Sequence, residues 1–394
     1  MGCKVQISEI AKVKGGKRLP KGVHLQSKQN AHPYIRVRDF NCRTLELNDA
    51  FEYVDDETQK CIRQYIVSTG DVLVTIVGTI GLTAIVGQSL DGANLTENCV
   101  KISGLDSVDS EYLYYYLSSP FGQQEIARRT VGAVQPKLPI KNIRSMEIDY
   151  PTREERERIV ALLSLLDDKV EFNSRINDYL AELGDALFNR ECPQSNEPNA
   201  ILSDIAQVTM GQSPSGSSYN EDGNGEVFYQ GRAEFGAFFP RRRLFTTEPK
   251  RMAREGDTLM SVRAPVGDLN IANEDCCIGR GLAAIHSENN QSFVHYLVRA
   301  QGRQLDTFNG DGTVFGSING KALKKLPVYL PSSDVIARLE SRLEPIDALI
   351  RRNDDEMQAL ERMRDTLLPR LMSGEIDVSK VDLTQPNNHF QEDE

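Results

Sequence analysis

Two stretches of the chain carry the hydrophobic period of a long amphipathic helix. Apolar residues recur at spacings of three and four in both stretches, which are otherwise rich in charged residues. The first stretch follows Pro151, and its apolar positions are Ile159, Leu162, Leu166, Val170, Ile176, Leu180, Leu183 and Leu187. The second has Leu339, Leu343, Ile346, Ile350, Met357, Leu360, Met363 and Leu367. We predict two helices of roughly 36 residues and ~54 Å, each needing the other to bury its stripe.

One position in each stripe is polar, Asn173 in the first and Asn353 in the second. A lone Asn on a coiled-coil seam fixes the register and the pairing of the helices. The alternative is an Asn that faces solvent on a slightly rotated helix. We predict a seam formed by Leu166, Val170, Asn173, Leu180, Ile346, Ile350, Asn353 and Leu360.

The remaining segments mix short strands with few helices. Runs such as "YIRVRDF", "DVLVTIVG" and "TLMSVRA" are β-branched and apolar and are bounded by Gly or Asp, which predicts strands. Residues 109–129 and 291–308 have a helical pattern, broken in the first case at Pro120. This alternation predicts an α+β body in each half.

The chain is an internal repeat. Residues 130–151 align with 310–331, and residues 166–188 align with 346–368, both at an offset of 180 residues. Upstream, "GDVLVTIVGTIG" aligns with "GDTLMSVRAPVG" at an offset of 186 residues, and "IAKVKGG" aligns with "IAQVTMG" at an offset of 195 residues. Each half is therefore a variable body followed by a helix of fixed length. We predict a body at 1–150, a helix at 151–190, a linker at 191–199, a body at 200–330, a helix at 331–374, and a tail at 375–394 with a disordered end.

Composition limits the class of protein. The 394 residues have 39% hydrophobic content and a mean hydropathy of -0.42, and no apolar run reaches the roughly 18 residues that span a bilayer, so we expect no membrane partner. Seven scattered cysteines without a Cys-x-x-Cys pattern predict free, mostly buried thiols in the cytoplasm.

The net charge of -11 is unevenly distributed. Residues 151–199 carry -5 and residues 331–394 carry -7, whereas the bodies at 1–150 and 200–330 carry +1 and 0. The acid is thus concentrated in the two helical segments. The bodies can hold local basic patches, such as Arg241–Arg243 and Lys324-Lys325.

No motif for catalysis is found in the sequence. It lacks a Gly-x-x-x-x-Gly-Lys loop, a dinucleotide-binding loop, a His-Glu-x-x-His zinc motif and an Asn/Asp-Pro-Pro-Tyr/Phe motif for amino methylation. The acidic pairs Asp167-Asp168 and Asp354-Asp355 fit solvated helix faces better than a catalytic dyad. We therefore predict no catalytic residue and no metal ligand, and favour a binding or assembly protein.

A duplicated body followed by a fixed helix resembles the specificity (S) subunit of type I restriction–modification systems. The motifs that carry the resemblance are "LPIKNIRSMEIDYP", "LDDKVEFNSRINDYLAELGDALF", "GDTLMSVRAPVG", "IGRGLAAI" and "LLPRLMSGEIDV". They span nearly the whole chain. The family usually has a Glu-Gln pair soon after the Pro that opens each helix, but here Glu155-Arg156 and Val335-Ile336 stand there.

The resemblance implies an α+β fold in which two mixed α/β target recognition domains are separated by a long antiparallel two-helix coiled coil with pseudo-twofold symmetry. Each domain would read one half of a split site in double-stranded DNA. The helices would dock two methyltransferase subunits, which bind S-adenosylmethionine, and translocase/nuclease subunits would join them for restriction. This chain itself would hold no cofactor. Its "LMSGEIDV" segment would dock beside residues 1–15.

Candidate DNA contacts are Lys, Arg and Gln residues of the bodies, because these types bind phosphates and base edges. In the first body we nominate Lys17, Arg18, Arg36, Arg38, Gln135 and Lys137. In the second we nominate Gln212, Gln230, Arg232, Arg241, Arg242, Arg243, Arg263 and Lys321. The Gly-rich loops at 131–137 and 310–316 lie at matched places, although flexible surface loops would have the same composition.

Two other functions stay open at this point. One is a non-catalytic coiled-coil scaffold whose repeated domains bind protein, which the acidic pI of 5.2 favours. Steep weakening of DNA binding by salt would argue against it. The other is an autonomous nuclease or methyltransferase with a degenerate motif, which would have to transfer methyl groups, or cut, without a partner.

Overall fold

The computed structural model describes residues 3–193, 195–310 and 316–380. The chain divides into two compact units, unit 1 (Met1–Lys169 with Ala359–Glu394) and unit 2 (Val170–Gln358). The divisions fall inside both long helices. Each unit therefore contains one body and a part of each helix, whereas the sequence-based boundaries, which remain predictions, keep the helices as separate segments.

Unit 1 contains body 1 (residues 3–150). Its strands are β1 (Cys3–Gln6), β2 (Lys12–Gly15), β3 (Pro33–Ile35), β4 (Thr44–Leu45), β5 (Glu52–Tyr53), β6 (Val72–Thr75), β7 (Thr83–Val86), β8 (Asn94–Leu95), β9 (Cys99–Ser103) and β10 (Glu147–Tyr150). The helices are α1 (Ile7–Ile10), α2 (Asp56–Ile62), α3 (Ser107–Ser118), α4 (Pro120–Arg129) and α5 (Ile140–Arg144), followed by the long α6 (Arg153–Glu191), which continues into unit 2. The sheets have the strand orders β2-β9-β6-β7-β4, β5-β3-β8 and β1-β10.

Unit 2 contains body 2 (residues 200–330). Its strands are β11 (Ala200–Ile201), β12 (Gln207–Met210), β13 (Tyr219–Asn220), β14 (Glu226–Tyr229), β15 (Leu244–Thr246), β16 (Met252–Ala253), β17 (Thr258–Ser261), β18 (Leu269–Ile271), β19 (Cys276–Ile278), β20 (Leu282–His286) and β21 (Pro327–Val328). The helices are α7 (Gln291–Arg299), α8 (Gly302–Asp306) and α9 (Gly320–Lys324), followed by the long α10 (Ser333–Met372), which continues into unit 1. The sheets have the orders β12-β20-β17-β18, β13-β15-β14-β19-β16 and β11-β21.

The two bodies repeat one arrangement of strands. The order β2-β9-β6-β7 in body 1 matches β12-β20-β17-β18 in body 2, and the parallel pair β3-β8 matches β14-β19. The central strands β6 and β17 are buried along their whole length, as their runs of apolar and β-branched residues predict. The predicted α+β fold of repeated mixed bodies is therefore confirmed.

Each body packs on the long helices through one of its own helices. In unit 1, Tyr112 and Tyr116 of α3 share a core with Leu163 of α6. In unit 2, Phe293 of α7 shares a core with Phe188 of α6 and with Leu339 of α10, among others. Burial of these large side chains, at about 25 cal/mol per Å² of apolar surface, fixes the bodies on the helices.

The long helices run antiparallel. In unit 1, Arg364 of α10 donates to Asp167 of α6 over 2.8 Å. In unit 2, the amide of Asn353 donates to Asn177 Oδ1 over 2.8 Å, and Arg338 donates to Glu191 over 2.9 Å. Residue numbers on α10 fall as those on α6 rise, so the predicted antiparallel pairing is confirmed.

The polar seam positions are buried, which rules out the solvent-facing alternative. Asn173 is 1% exposed and Asn353 is 8% exposed. They do not bond to each other: Asn173 donates to Glu356, and Asn353 to Asn177, which in turn donates to the Ile350 carbonyl. Of the other predicted seam residues, Leu166, Ile346 and Ile350 are buried, and Val170, Leu180 and Leu360 are half-buried.

The apolar stripe deduced for the first helix is wrong at two positions. Ile176 and Leu183 are 43% and 49% exposed, whereas Asn177 and Ala181 are buried. Gly184 is buried as well, and a Cβ there would lie 2.1 Å from the Tyr296 hydroxyl oxygen. Ala181 and Gly184 let body 2 approach α6 closely. Because α6 packs against the body on this side, its buried face does not coincide with its most apolar positions.

The pair Glu155-Arg156, which stands where the resemblance implies Glu-Gln, makes specific contacts with its neighbours. The Arg156 guanidinium pairs with Asp109 over 2.8 Å and lies 3.8 Å from the Tyr150 ring centroid. Glu155 accepts from the Thr152 hydroxyl and backbone N–H at the start of α6. These contacts join the first turn of α6 to α3 and β10.

The segment after α10 returns to body 1. Gly374 has φ +73°, the left-handed conformation that ends many helices, and its N–H donates to the Leu371 carbonyl. Met372 and Val378 are buried in the core that contains Ile7. The Arg158 guanidinium donates to the carbonyls of Val378 and Ser379. Residues 381–394 of the predicted tail lie outside the described residues.

A tyrosine in each body bonds to an aspartate of a long helix. Tyr115 donates to Asp167 over 2.7 Å, and Tyr296 donates to Asp347 over 3.1 Å. The aspartates are repeat equivalents but have different surroundings. Asp167 pairs with Arg364, whereas the equivalent of Arg364 in unit 2, at an offset of 180, is a glycine. Burial raises the pKa of Asp347 to about 6, and Glu340 contributes, while Ser292, Tyr296 and Arg299 oppose the shift.

We expect Asp347→Asn to stabilise the protein above pH 6. A carboxyl with a raised folded-state pKa binds its proton more tightly when folded, so its ionisation costs stability as pH rises from about 4 to 6. The amide still accepts from Tyr296 and has no charge to desolvate. The gain should be on the order of 1–3 kcal/mol at pH 8 and should vanish below pH 4, measured by urea unfolding.

Asp167→Asn is the matched control, and it should have the opposite sign at neutral pH. It removes the negative partner of Arg364, so the variant should unfold at lower urea concentration. Equal effects of the two substitutions at pH 8 would show that the missing arginine in unit 2 does not matter.

Candidate nucleic-acid interface

Polar and cationic residues line a cleft in body 2. The cleft has a volume of about 380 Å³ and is lined by Gln230, Gly231, Arg232, Ser261, Arg263, Ala264, Arg280 and Gly281. We call it the body 2 cleft. It brings together three of the nominated residues, Gln230, Arg232 and Arg263, and adds Arg280.

Strand ends build the body 2 cleft. β14 and β19 run parallel, with Tyr229 opposite Ile278, so the residues that follow both strands leave the sheet at the same edge. The backbone of Arg263, after β17, forms a bridge with Ser317. Gly279 and Gly281 flank Arg280, and a Cβ at either glycine would lie within 3 Å of the Gln230 carbonyl oxygen.

The arginines of the body 2 cleft differ in whether a carboxylate of the protein already pairs with them. Arg232 forms an ion pair with Asp268. Arg263 and Arg280 are exposed, and neither pairs with a carboxylate among the described residues. The Arg280 backbone N–H and Nε donate to Ser213 Oγ over 3.2 and 3.4 Å. Two guanidinium groups of this cleft can therefore bind an anionic or hydrogen-bond-accepting ligand.

A second basic surface of body 2 surrounds the start of α9. We call it the body 2 patch; it is a depression of about 690 Å³ whose basic members are Arg251, Lys321, Lys324 and Lys325. In the described part of the chain, none of the four forms an ion pair. Met210 of β12 lines the body 2 patch, and Ser213 reaches Arg280 three residues later, so β12 leads from the patch to the cleft.

Body 1 has a cleft of about 730 Å³ at its strand ends, lined by Arg18, Leu19, Pro20, Lys21, Val23, Leu25, Tyr34, Arg36, Val37, Arg38, Thr96, Glu97 and Asn98. We call it the body 1 cleft. Its arginines are paired with carboxylates: Arg18 with Glu97 over 3.1 Å, Arg38 with Glu52 over 3.0 Å, and Arg36 with Glu52. In the body 1 cleft, each of the three arginines is thus paired with a carboxylate.

The two clefts occupy the same place in the repeat. The N–H of Gly16 donates to the first residue of β9, Cys99, and that of Gly211 to the first residue of β20, Leu282. By this correspondence Arg18 matches Ser213, and Glu97 matches Arg280. The side chains that line the two clefts therefore have opposite charge at an equivalent position.

The other nominated residues are scattered over the bodies. Lys17 is exposed, with its Nζ 5.5 Å from the Tyr65 ring centroid. Gln135 and Lys137 lie on an exposed hairpin whose tip residue Val134 is 94% exposed. The side chain of Gln212 is exposed beside the body 2 cleft, and Lys321 lies in the body 2 patch.

Two of the three nominated arginines at 241–243 form ion pairs within body 2. Arg242 pairs with Glu274 and Arg243 with Glu234, both over 2.5 Å, and Arg241 is exposed. Residues 311–315 of the second Gly-rich loop lie outside the described residues. Sequence reasoning missed Arg280 and Arg251; the glycines on both sides of Arg280 were the available signal.

Comparison with known proteins identifies the family. The model of the type I restriction modification DNA specificity domain matches residues 3–182 and again residues 199–362. The chain belongs to this family. It is 30% identical to a putative type I restriction enzyme MjaX specificity subunit of Methanocaldococcus jannaschii, with 90% of each chain covered. It is 22% identical to the MjaIX specificity subunit of the same organism, over 89% of this chain and 88% of that one.

A solved structure shares the fold. The S subunit of a type I restriction–modification system from M. genitalium superposes with a TM-score of 0.57 at 17% identity, covering 94% of this chain and 95% of that one. No helix in the described part of this DNA specificity protein is both long and apolar enough to cross a bilayer.

We expect Lys324→Ala to weaken DNA binding by a similar factor for every sequence. A lysine that contacts a phosphate releases a counterion, so the slope of log affinity against log salt should decrease in magnitude by about 0.9. Titration of the full chain from 50 to 200 mM salt measures the slope. Arg254→Ala is the control, since Arg254 pairs with Glu288 and lines neither basic surface. An unchanged slope for Lys324→Ala would exclude a phosphate contact.

Proposed function

We propose that this protein is the DNA sequence-specificity subunit of a type I restriction–modification complex, and that each body reads one half of a split target in double-stranded DNA. The observation that supports this most directly is that the two clefts share one place in a repeated scaffold but have different linings. Two domains that bind different half-sites need this combination. The strands would fix the position of the binding surface in each domain, and the side chains would determine which bases it accepts.

In this proposal the chain supplies recognition, and partners supply chemistry. Two methyltransferase subunits would bind S-adenosylmethionine and modify adenine, and translocase/nuclease subunits would join them for restriction, as the resemblance implies. The buried free thiols Cys99, Cys192, Cys276 and Cys277 agree with the expected cytoplasmic location.

An exposed apolar face of α6 supports the docking of a methyltransferase subunit. Phe172, Ile176, Tyr179 and Leu183 follow one another at spacings of four, three and four, and they are 61%, 43%, 70% and 49% exposed. A contiguous stripe of this size on one helix is typical of a surface that a partner helix covers. We propose that a methyltransferase subunit covers it.

Exchange of body 2 tests whether each body recognises its own half of the target. Residues 200–328 carry the whole sheet β11-β21 and can be replaced by the same region of a related specificity subunit. We expect adenine methylation, mapped in cells that carry the methyltransferase, to change in one half of the target only. If both halves change while the protein folds and binds its partner, the bodies do not read DNA independently.

We propose that the length of the helices sets the gap between the half-sites, because residues 130–188 align with 310–368 without a gap while the bodies differ in length. One heptad inserted between Lys169 and Val170 and another between Gln358 and Ala359 leaves each unit intact. Seven helical residues add about 10 Å, or about three base pairs. Methylation mapping should show a gap longer by this amount with both half-sites unchanged.

Seven Gly and Ser residues inserted after Asp222, in an exposed loop of body 2, are the control for the helix insertion. They add the same length of chain without extending the helix pair, so the gap should not change. An unchanged gap in the active double-heptad variant would assign the spacing to the bodies or to the partner subunits.

A further inference from the structure

We infer that Arg280 is a base-reading residue of body 2, and that the half-site read by this body contains a guanine at the position Arg280 contacts. The inference rests on the proposed function, since it assumes that the body 2 cleft faces DNA. It adds the chemical identity of one base and the residue that selects it.

The backbone holds Arg280 in a fixed place at the edge of the cleft. The Gly279 N–H donates to the Tyr229 carbonyl over 2.8 Å, and the Gln212 N–H donates to the Ile278 carbonyl over 2.9 Å. Glycine on both sides is required, because a Cβ at Gly279 or Gly281 would lie 2.7 or 2.9 Å from the Gln230 carbonyl oxygen. The turn therefore brings Arg280 against the end of β14.

The side chain of Arg280 is oriented but not neutralised. Its Nε donates to Ser213 Oγ over 3.4 Å, and no described carboxylate pairs with it. Its neighbour Arg232 is occupied by Asp268. An oriented arginine with free terminal N–H groups can donate two parallel hydrogen bonds to O6 and N7 of guanine in the major groove.

Body 1 places a different group at the equivalent position. Glu97 pairs with Arg18 over 3.1 Å and accepts from the Thr96 hydroxyl over 3.0 Å. A carboxylate accepts hydrogen bonds and does not donate them, so it cannot select guanine as arginine does. This position changes from donor to acceptor between two bodies that share one strand order, which is the property that a specificity determinant requires.

A phosphate contact is the competing role for Arg280, and the two roles give different results. A base contact gives discrimination at one position of one half-site. A phosphate contact gives a uniform change for all sequences and a smaller salt slope. The lysines of the body 2 patch are the internal reference for the second behaviour.

The test uses the full chain in complex with its methyltransferase. Competition binding is measured with the target and with duplexes that carry each single base-pair change in the half-site of body 2, which the exchange of residues 200–328 identifies. The wild-type complex should disfavour replacement of one guanine by about 5- to 150-fold. Arg280→Ala should remove that preference at this position and retain the others.

Two further variants, Arg280→Lys and Arg254→Ala, separate the effect of the hydrogen bonds of Arg280 from the effect of its charge. Lysine keeps the charge but cannot donate the two parallel hydrogen bonds, so the guanine preference should fall while the salt slope stays as in the wild type. Arg254→Ala should leave both quantities unchanged. Thermal melting of the variants checks folding, and Arg280→Lys decides the question if Arg280→Ala unfolds.

A uniform loss of affinity in Arg280→Ala with unchanged preferences, or a half-site of body 2 without a guanine, would overturn the inference. Neither result would affect the proposed function. The proposed function itself would fail if the wild-type complex had no sequence preference in either half-site.

Discussion

The pairing of two helices that cannot bury their apolar stripes alone is the constraint on which the rest of the structure depends. Neither half of the repeat is a compact unit by itself, because each unit combines the start of one long helix with the end of the other. Unit 1 needs α10 to supply Arg364 for Asp167, and unit 2 needs α6 to supply Asn177 for Asn353. Duplication of the sequence thus produces interdependent halves.

The helix pair is repeated in sequence but not in chemistry. In unit 1, a tyrosine, two arginines and two aspartates meet where body 1 joins α6: Arg43, Tyr115, Asp167, Asp168 and Arg364. In unit 2, Tyr296 reaches Asp347 across Gly184, and burial raises the pKa of that carboxyl to about 6. Each body therefore joins the helices by the same Tyr–Asp hydrogen bond in a different electrostatic setting. In unit 2, ionisation of Asp347 at neutral pH lowers the stability of the folded protein.

The core of each body and the surface that we propose for recognition are built from separate parts of the chain. The buried strands and the helices α3 and α7 make the core, and the loops at the strand ends make the clefts. Glycines at close backbone approaches, such as Gly279 and Gly281, keep the edge of the cleft in one shape. Side chains such as Arg280 and Glu97 can differ at that edge without disturbing the core, as the proposed reading of two different half-sites requires.

The sequence by itself determined the repeat, the α+β class, the pairing of two long helices and the family, because these depend on periodicity and on local motifs. The antiparallel direction of the helices was implied by the family resemblance and not by the periodicity. Tertiary structure decided which residues are free to act. Arg36 and Arg242 have distant carboxylate partners, Glu52 and Glu274, which no local pattern shows. Arg280 reaches the cleft only through the parallel pairing of β14 with β19. The buried face of α6 likewise includes Asn177 instead of Ile176. The rotation of a helix about its axis depends on every surface that packs against it, whereas the hydrophobic period of the sequence depends only on the residues of the helix itself.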